Sequence, residues 1–232
     1  MSHRFAANAG ILSAETLAAI QAVHVLIVGL GGLGGHVANS LVRLGVRRLT
    51  LVDPDVFEVS NLNRQLFSDR HSLGKPKAEV VADALRRLDE TIDVTVHVCD
   101  VEDLDATVFT GVDWMIDAVD QIDVKLWIEQ LARRLGVLYV HGAIGGWYGQ
   151  FAVCRPGADV LKQLYGAQRS GLETTLLSPT FTPAIVANLM VAEWVKCMGN
   201  HPQSRYNTVF VVDTASQMVE ILYQDSEEDG SW

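Results

Sequence analysis

A run of glycines early in the chain has the spacing of a nucleotide-binding turn. Gly29, Gly31 and Gly34 satisfy the pattern G-x-G-x-x-G between an apolar segment, VHVLIV, and a segment with helical spacing. Glycine lets the chain turn tightly and brings backbone N–H groups against phosphate oxygens at a helix N-terminus. Asp53 ends the next predicted strand, where a carboxylate accepts both ribose hydroxyls. The pattern indicates an adenosine nucleotide but not which one, because many oxidoreductases share it.

The residues that follow Asp53 add amides and cations to this site. The segment reads PDVFEVSNLNRQ and is followed shortly by GKPKAE. Arg64 can form a fork on phosphate oxygens, and Asn61 and Gln65 can hold the loop or contact a triphosphate. Lys77 lies in the first turn of a predicted helix and can reach a phosphate as a point charge. A nicotinamide enzyme has no need of two cations there, whereas an enzyme that cleaves a triphosphate does.

Two carboxylates lie at the end of another predicted strand, WMIDAVD. Asp117 and Asp120 occupy the C-terminal end of this strand, where open α/β sheets bind their ligands. Mg²⁺ takes one or two carboxylates together with phosphate oxygens. Each residue also has an ordinary alternative: a surface ion pair for Arg64, a solvated Lys77, or a helix cap for Asp120. Together, and in this order, they favour a magnesium–nucleotide site.

Strand and helix patterns alternate along most of the chain. A helix is predicted over 13–22 with Ser13 as its N-cap, and strands over VHVLIVG, RRLTLVD, TIDVTVHV, WMIDAVD, VLYVHGA and GQFAVCRP. This alternation predicts an α/β, Rossmann-like, mostly parallel sheet with helices on both faces and a C-terminal antiparallel extension. We expect one domain over 1–232. Its nucleotide-binding core covers 1–154 and its crossover loop covers 155–180. A buried helix that begins at Thr182 and Pro183 and a hairpin together make up 181–223, and a frayed acidic tail covers 224–232.

Composition excludes several classes of function. The formal net charge is −10, and Lys and Arg do not cluster, so nucleic acid is not expected as a partner. No apolar run of ~18 residues predicts a membrane span, and the N-terminus does not resemble a secretion signal. The three cysteines form no close pair, which argues against disulfides and favours a cytoplasmic protein.

The motifs in combination resemble the HesA/MoeB/ThiF family, which is related to the ubiquitin-activating enzymes. GLGGLG, DPDVFEVSNLNRQ, GKPK and DAVD carry the resemblance, which extends from about Val25 to Gly149. It implies a homodimeric adenylyltransferase that binds ATP and Mg²⁺. It also implies a partner, a small ubiquitin-like sulfur-carrier protein whose C-terminal Gly-Gly carboxylate is adenylated with release of pyrophosphate.

The resemblance also assigns roles to individual residues. Nucleotide binding falls to Gly29, Gly31, Gly32, Gly34, Asp53, Ser60, Asn61, Arg64, Gln65, Lys77, Asp120 and Gln121. Arg64, Lys77 and Asp120 carry the catalytic role, and Asp120 binds Mg²⁺. Fixed cations stabilise the charge that builds on phosphate oxygens. No general base is needed, because a carboxylate nucleophile is already ionised at neutral pH.

The chain departs from the family pattern at three places. It has no pair of CxxC motifs, so no zinc site is expected. The segment from Arg155 to Pro179 has no cysteine that could react with the carrier, and Cys154 and Cys197 are interpreted as core thiols. The family often places an arginine, which reaches the partner protomer's ATP site, where this chain has Ala7. Either Arg4 substitutes for it or the enzyme is weakened.

Two side chains in the segment HGAIGGWYGQ leave their role open. Trp147 and Tyr148 follow a glycine-rich turn and can line a groove for the carrier's tail or pack against the sheet. His141 in the same segment is interpreted as a core histidine rather than a base.

Several functions remain compatible with the sequence. The leading one is adenylation of a carrier that serves thiamine, molybdopterin or related sulfur chemistry. The alternatives are an ATP-dependent dehydratase of a modified tRNA base, a non-catalytic carrier-binding protein and, on the glycine motif alone, a nicotinamide-dependent oxidoreductase.

Overall fold

An eight-stranded sheet organises the described part of the chain, residues 5–166 and 178–224 of a computed structural model. Its strands are β1 His24–Val28, β2 Arg48–Val52, β3 Asp93–His97, β4 Trp114–Asp117, β5 Leu138–Gly145, β6 Tyr148–Cys154, β7 Thr208–Asp213 and β8 Met218–Gln224. The helices are α1 Ala14–Ala22, α2 Gly32–Leu44, α3 Lys77–Leu88, α4 Ile122–Leu135, α5 Val160–Tyr165 and α6 Phe181–Met198.

The strand order places the ends of three strands side by side. The order is β3-β2-β1-β4-β5-β6-β7-β8, parallel from β3 to β5 and antiparallel from β5 to β8. This confirms the predicted mostly parallel sheet with an antiparallel extension. In the register, Val28 pairs with both Val52 and Asp117, so β1, β2 and β4 end level with one another. The loops that follow these strands therefore meet at one edge of the sheet.

Helices cover both faces of the sheet, as predicted. Side chains of α1, α2, α3 and α6 pack in one apolar cluster, and those of α4 and α5 pack in another on the opposite face. Every residue of β1 is buried, which explains its continuously apolar sequence. The edge strand β3 alternates between exposed and buried positions near its start, in agreement with the wetter face that its sequence indicates.

Helix ends follow local sequence signals closely. The Ser13 hydroxyl accepts a hydrogen bond from the Thr16 N–H at 3.1 Å, which confirms the predicted N-cap of α1. Helix α6 begins at Phe181, slightly before its predicted start. Thr182 lies inside its first turn and donates its hydroxyl hydrogen bond to the Gly146 carbonyl at 2.9 Å instead of capping.

One helix lies where the sequence predicts an irregular loop. Residues 160–165 form α5, because the buried carboxylate of Glu129 in α4 accepts hydrogen bonds from the N–H groups of Leu161 and Lys162. A helix shorter than about 12 residues rarely forms without such tertiary support. The rest of the predicted crossover loop at 167–177, and the acidic tail beyond residue 224, lie outside the described residues. No described helix is long and apolar enough to cross a membrane.

Candidate functional site

A cleft opens at the level ends of β1, β2 and β4, where the strand order reverses between β1 and β4. Open α/β sheets bind ligands at such a switch point. The predicted site residues that line this cleft are Gly29, Gly31, Gly32, Asp53, Arg64, Gln65, Lys77, Asp120 and Gln121. Three other predicted residues, Gly34, Ser60 and Asn61, are not among those that line it.

The glycine turn permits a close approach between three backbone segments. Gly29 has φ 86°, and a Cβ on it would lie 2.7 Å from the carbonyl oxygen of Ala118 in the loop after β4. A Cβ on Gly34 would lie 1.8 Å from the Gly29 carbonyl oxygen, so Gly34 lets α2 pack against the turn. Gly31 caps α2 without a side chain, which leaves the N–H groups of the first turn pointing toward the cleft.

Asp53 joins this turn to the end of β2. Its Oδ2 accepts a hydrogen bond from the Leu30 N–H at 2.6 Å, and its Oδ1 accepts one from the Asp55 N–H at 2.8 Å. Burial raises the pKa of Asp53, although these two hydrogen bonds and the nearby Lys77 ammonium act to lower it. The carboxylate is therefore positioned rigidly at the place where a ribose is expected.

The two predicted cations both reach the cleft, but each has a partner in the protein. The Lys77 ammonium is buried and lies 2.8 Å from Oδ2 of Asp55, a residue to which sequence analysis assigned no role. Nη1 of Arg64 donates to the Ser60 carbonyl and to Oδ1 of Asn63, at 2.9 Å each. Proximity to Asp53 in the segment DPD is the only sequence signal that singles out Asp55.

Side-chain hydrogen bonds to the backbone hold the loop that carries Arg64 in shape. Asn61 is buried, and its Oδ1 accepts a hydrogen bond from the Glu58 N–H at 3.0 Å in a reciprocal capping box. Gln65 is also buried and lies against Gly31, and its Oε1 has no hydrogen-bond partner within the described ranges. A buried acceptor without a partner is uncommon in proteins and suits a ligand that donates a hydrogen bond.

Asp120 and Gln121 form the opposite rim of the cleft. Both are exposed, and Gln121 is the N-cap residue of α4. The Asp120 carboxylate forms no hydrogen bond or ion pair with the residues that the structure describes. It fits Mg²⁺, which binds through one or two carboxylates plus phosphate oxygens. Within 5–166 and 178–224, no group of three or more His, Cys, Asp or Glu could hold a metal ion by itself.

Asp117 does not face the cleft, although it ends the same strand. Its carboxylate is fully buried and lies 3.2 Å from the Lys125 ammonium and 2.8 Å from Nδ1 of His141. Burial lowers the pKa of His141, and this histidine is confirmed as a core residue. Cys154 and Cys197 are likewise buried, and burial raises the pKa of both thiols, to about 12 for Cys197.

An aromatic patch adjoins the cleft at the turn between β5 and β6. Trp147 and Tyr148 are 50% and 49% exposed, so neither is buried against the sheet. The Trp147 ring lies 4.9 Å from the Phe181 ring between centroids. Ile144, which precedes this turn, lines the cleft itself. The turn that carries Trp147 therefore begins next to the cleft wall.

Fold and cleft together define an α/β domain with a candidate nucleotide site at the glycine turn. The chain belongs to the ThiF family, whose model matches residues 5–230. This confirms the family resemblance that the motifs indicated.

The relatives include proteins named as an adenylyltransferase and as a dehydratase. The chain is 28% identical over 202 residues to the molybdopterin-synthase adenylyltransferase of Salmonella typhimurium, covering 84% of this chain and 80% of that protein. It is 32% identical over 146 residues to the tRNA threonylcarbamoyladenosine dehydratase of Escherichia coli, covering 62% and 54%. Other matched relatives are longer, and the chain spans 24% to 56% of three of them.

Solved structures support the fold. The crystal structure of E. coli MccB with ATP has a TM-score of 0.73 and 21% identity to this chain, covering 93% of this chain and 68% of that one. At this level of identity the likeness shows the fold alone.

Proposed function

We propose that this protein uses ATP and Mg²⁺ to adenylate the C-terminal Gly-Gly carboxylate of a small ubiquitin-like sulfur carrier, with release of pyrophosphate. The observation that carries the proposal is the convergence of a glycine turn, the cations Arg64 and Lys77, and the exposed Asp120 carboxylate on one cleft. The Salmonella relative, a molybdopterin-synthase adenylyltransferase, supports the same reaction class.

The charges around the cleft suit attack by a carboxylate on the α-phosphorus. That attack brings two anions together, and it forms the acyl–phosphate bond while the bond to pyrophosphate breaks. Lys77 and Arg64 offset the negative charge on the phosphates, and Asp120 would hold Mg²⁺, which would supply further positive charge beside them. Asp53 binds the ribose, and Gln65 presents a buried Oε1, without a partner among the described residues, to a donor of the nucleotide.

The aromatic patch gives the carrier's tail a path to the cleft. Trp147 and Phe181 lie together on the surface at the turn that follows Ile144, and Ile144 forms part of the cleft wall. Tyr148 begins β6 and is also exposed. Exposed aromatic side chains are common anchors in protein interfaces, so we place the tail along these rings. Carriers that serve thiamine or molybdopterin synthesis are the candidates we favour.

The N-terminal segment supports a homodimer. Phe5 packs near Gly45, and the Asn8 side chain donates to the Arg43 carbonyl at 3.3 Å, so both contact the C-terminal end of α2. The cleft lies at the opposite end of that helix. Position 7 is therefore far from its own cleft, so an arginine there would have to reach the cleft of a partner protomer. Because that residue is Ala7, we expect slow turnover.

Carrier-dependent exchange of labelled pyrophosphate into ATP tests the proposal. The wild-type protein should exchange with a carrier ending in Gly-Gly and not with the same carrier lacking its last glycine. Arg64→Ala and Asp120→Ala should abolish exchange. Arg134→Ala, which removes an exposed arginine from the end of α4, should not. No exchange with any carrier would overturn the proposal.

Two alternatives give different results in the same experiment. Nucleotide binding without exchange for any carrier would indicate a carrier-binding protein, which Ala7 favours. ATP hydrolysis that depends on a modified tRNA would indicate the dehydratase reaction, which the E. coli relative favours.

A further inference from the structure

A buried polar network lies directly beneath the loop that carries Asp120. Its centre is the ion pair between Asp117 and Lys125, whose side chains are 0% and 1% exposed. The second oxygen of Asp117 accepts hydrogen bonds from the Tyr139 hydroxyl and from Nδ1 of His141, at 2.8 Å each. Taking two charges out of water costs several kcal/mol per ion, so a buried pair is weak evidence for a stabilising role.

The network is hydrogen-bonded both to the loop after β4 and to the neighbouring strand β5. Oδ1 of Asp117 accepts a hydrogen bond from the Val119 N–H at 3.1 Å and closes the turn after β4. The Lys125 ammonium also donates to the Gly142 carbonyl in β5 at 2.8 Å, which ties α4 to the sheet. The same loop touches the glycine turn, because the Ala118 N–H donates to the Val28 carbonyl at 2.9 Å.

The loop and the glycine turn cannot shift independently. The Ala118 carbonyl oxygen and the Val119 nitrogen lie so close to Gly29 that a Cβ there would approach them to 2.7 and 3.0 Å. A movement of this backbone therefore moves both the phosphate-binding turn and the carboxylate of Asp120. Outer hydrogen-bond partners of a metal ligand commonly control affinity in this way.

We infer that Lys125 and Asp117 are positioning residues that hold the Asp120 carboxylate at the distance from the glycine turn that a Mg²⁺-bound triphosphate needs. Neither side chain touches the nucleotide. This inference rests on the proposed function, since it concerns how the same cleft binds Mg²⁺ with ATP. Lys125 is the cation of this pair, and no local sequence motif singles it out.

A double variant tests this without leaving a buried charge unpaired. Lys125→Met combined with Asp117→Asn removes both charges while it keeps the side-chain volumes. The matched control is Glu193→Gln, which alters another buried carboxylate that pairs with a lysine, Lys196. Glu193 lies about 18 Å along α6 from the cleft end of that helix.

The first readout is the affinity for α,β-methylene ATP with and without Mg²⁺. We expect the gain in affinity that Mg²⁺ provides to fall by roughly 10- to 100-fold in the double variant. Affinity for AMP without Mg²⁺ should fall by less than this, because Asp53 still holds the glycine turn through the Leu30 N–H. The control should keep the full Mg²⁺ effect. A folded double variant that also keeps the full effect would overturn the inference.

The second readout needs no nucleotide and separates this inference from the proposed function. Hydrogen–deuterium exchange of the amides at 118–121 should become faster in the double variant and stay at the wild-type rate in the control. Unchanged protection of these amides would overturn the inference even if pyrophosphate exchange succeeds. If the double variant does not fold, Tyr139→Phe replaces it, because it removes one hydrogen bond to Asp117 and leaves no buried charge unpaired; the same direction is expected in both readouts.

Discussion

The carboxylate of Glu129 makes the stability of this protein depend on pH in a direction that can be measured. Glu129 is 4% exposed and accepts hydrogen bonds from the N–H groups of Leu161, at 2.6 Å, and Lys162, at 3.2 Å. Burial raises its pKa from 4.5 to about 7, and the negative charges of Asp159 and Asp117 add to the rise. The two hydrogen bonds oppose it without cancelling it.

The sign of the effect follows from this raised pKa. The folded protein binds the Glu129 proton more tightly than the unfolded chain does. The contribution of this group to the free energy of unfolding therefore falls as pH rises from 4.5 to about 7 and is constant above that. A difference of ~2.5 pKa units at 1.36 kcal/mol each gives a total loss of about 3 kcal/mol.

Glu129→Gln removes the titration while it keeps a carbonyl acceptor for the Leu161 N–H. The amide turns an N–H₂ group toward the Lys162 N–H, so the variant should be about 1 kcal/mol less stable than wild type near pH 5. Near pH 8 the wild type should be the less stable of the two, because only the wild type has lost the contribution of Glu129 to the free energy of unfolding. Urea unfolding at several pH values between these limits measures both curves.

A second substitution tests the physical cause of the raised pKa of Glu129. Asp159→Asn removes one neighbouring negative charge, so it should lower the pKa of Glu129 and shrink the loss of stability between pH 5 and 8. The Asp159 carboxylate accepts no side-chain cap hydrogen bond in α5, and the ion pair with Arg133 that the substitution also removes shifts stability equally across this pH range. Parallel curves for wild type and Glu129→Gln across this range would refute the reasoning.

Three further changes have expected outcomes at the cleft. Gly34→Ala forces a methyl group to within 1.8 Å of the Gly29 carbonyl, so thermal unfolding should show a loss of roughly 1–3 kcal/mol and calorimetry a loss of nucleotide binding. Lys77→Met should weaken ATP binding about tenfold or more by removing a charged contact, whereas Asp55→Asn should weaken it less, since it frees the ammonium from its partner. Cys99 lines the cleft, so iodoacetamide should label it at alkaline pH, which its raised pKa requires, and ATP should slow this labelling as followed by mass spectrometry.

Much of the cleft was predictable because its parts lie next to strand ends. The glycine turn, Asp53 and Asp120 each follow directly on an apolar strand, and the carboxyl ends of parallel strands meet at one edge. Alternation of strand and helix therefore predicted both the fold and the cleft. For Asn61 the sequence left open whether the side chain holds the loop or contacts the triphosphate, and its Oδ1 accepts a hydrogen bond within its own loop.

Features that depend on contacts between distant segments could not be read from local patterns. Helix α5 forms because a glutamate some thirty residues earlier caps it, and nothing in 160–165 itself signals this. The pair between Lys125 and Asp117 looks in sequence like an exposed helix charge beside a site residue. Its burial follows from the packing of α4 on β4 and β5, which only the folded chain shows.

Transfer of label from ATP to the carrier tests the central claim most directly. ATP labelled at the α-phosphate, incubated with Mg²⁺, the protein and a carrier ending in Gly-Gly, should leave label on the carrier, and Asp120→Ala should leave none. Label that reaches the carrier only from the γ-phosphate, or no label from either position, would contradict adenylation at this cleft.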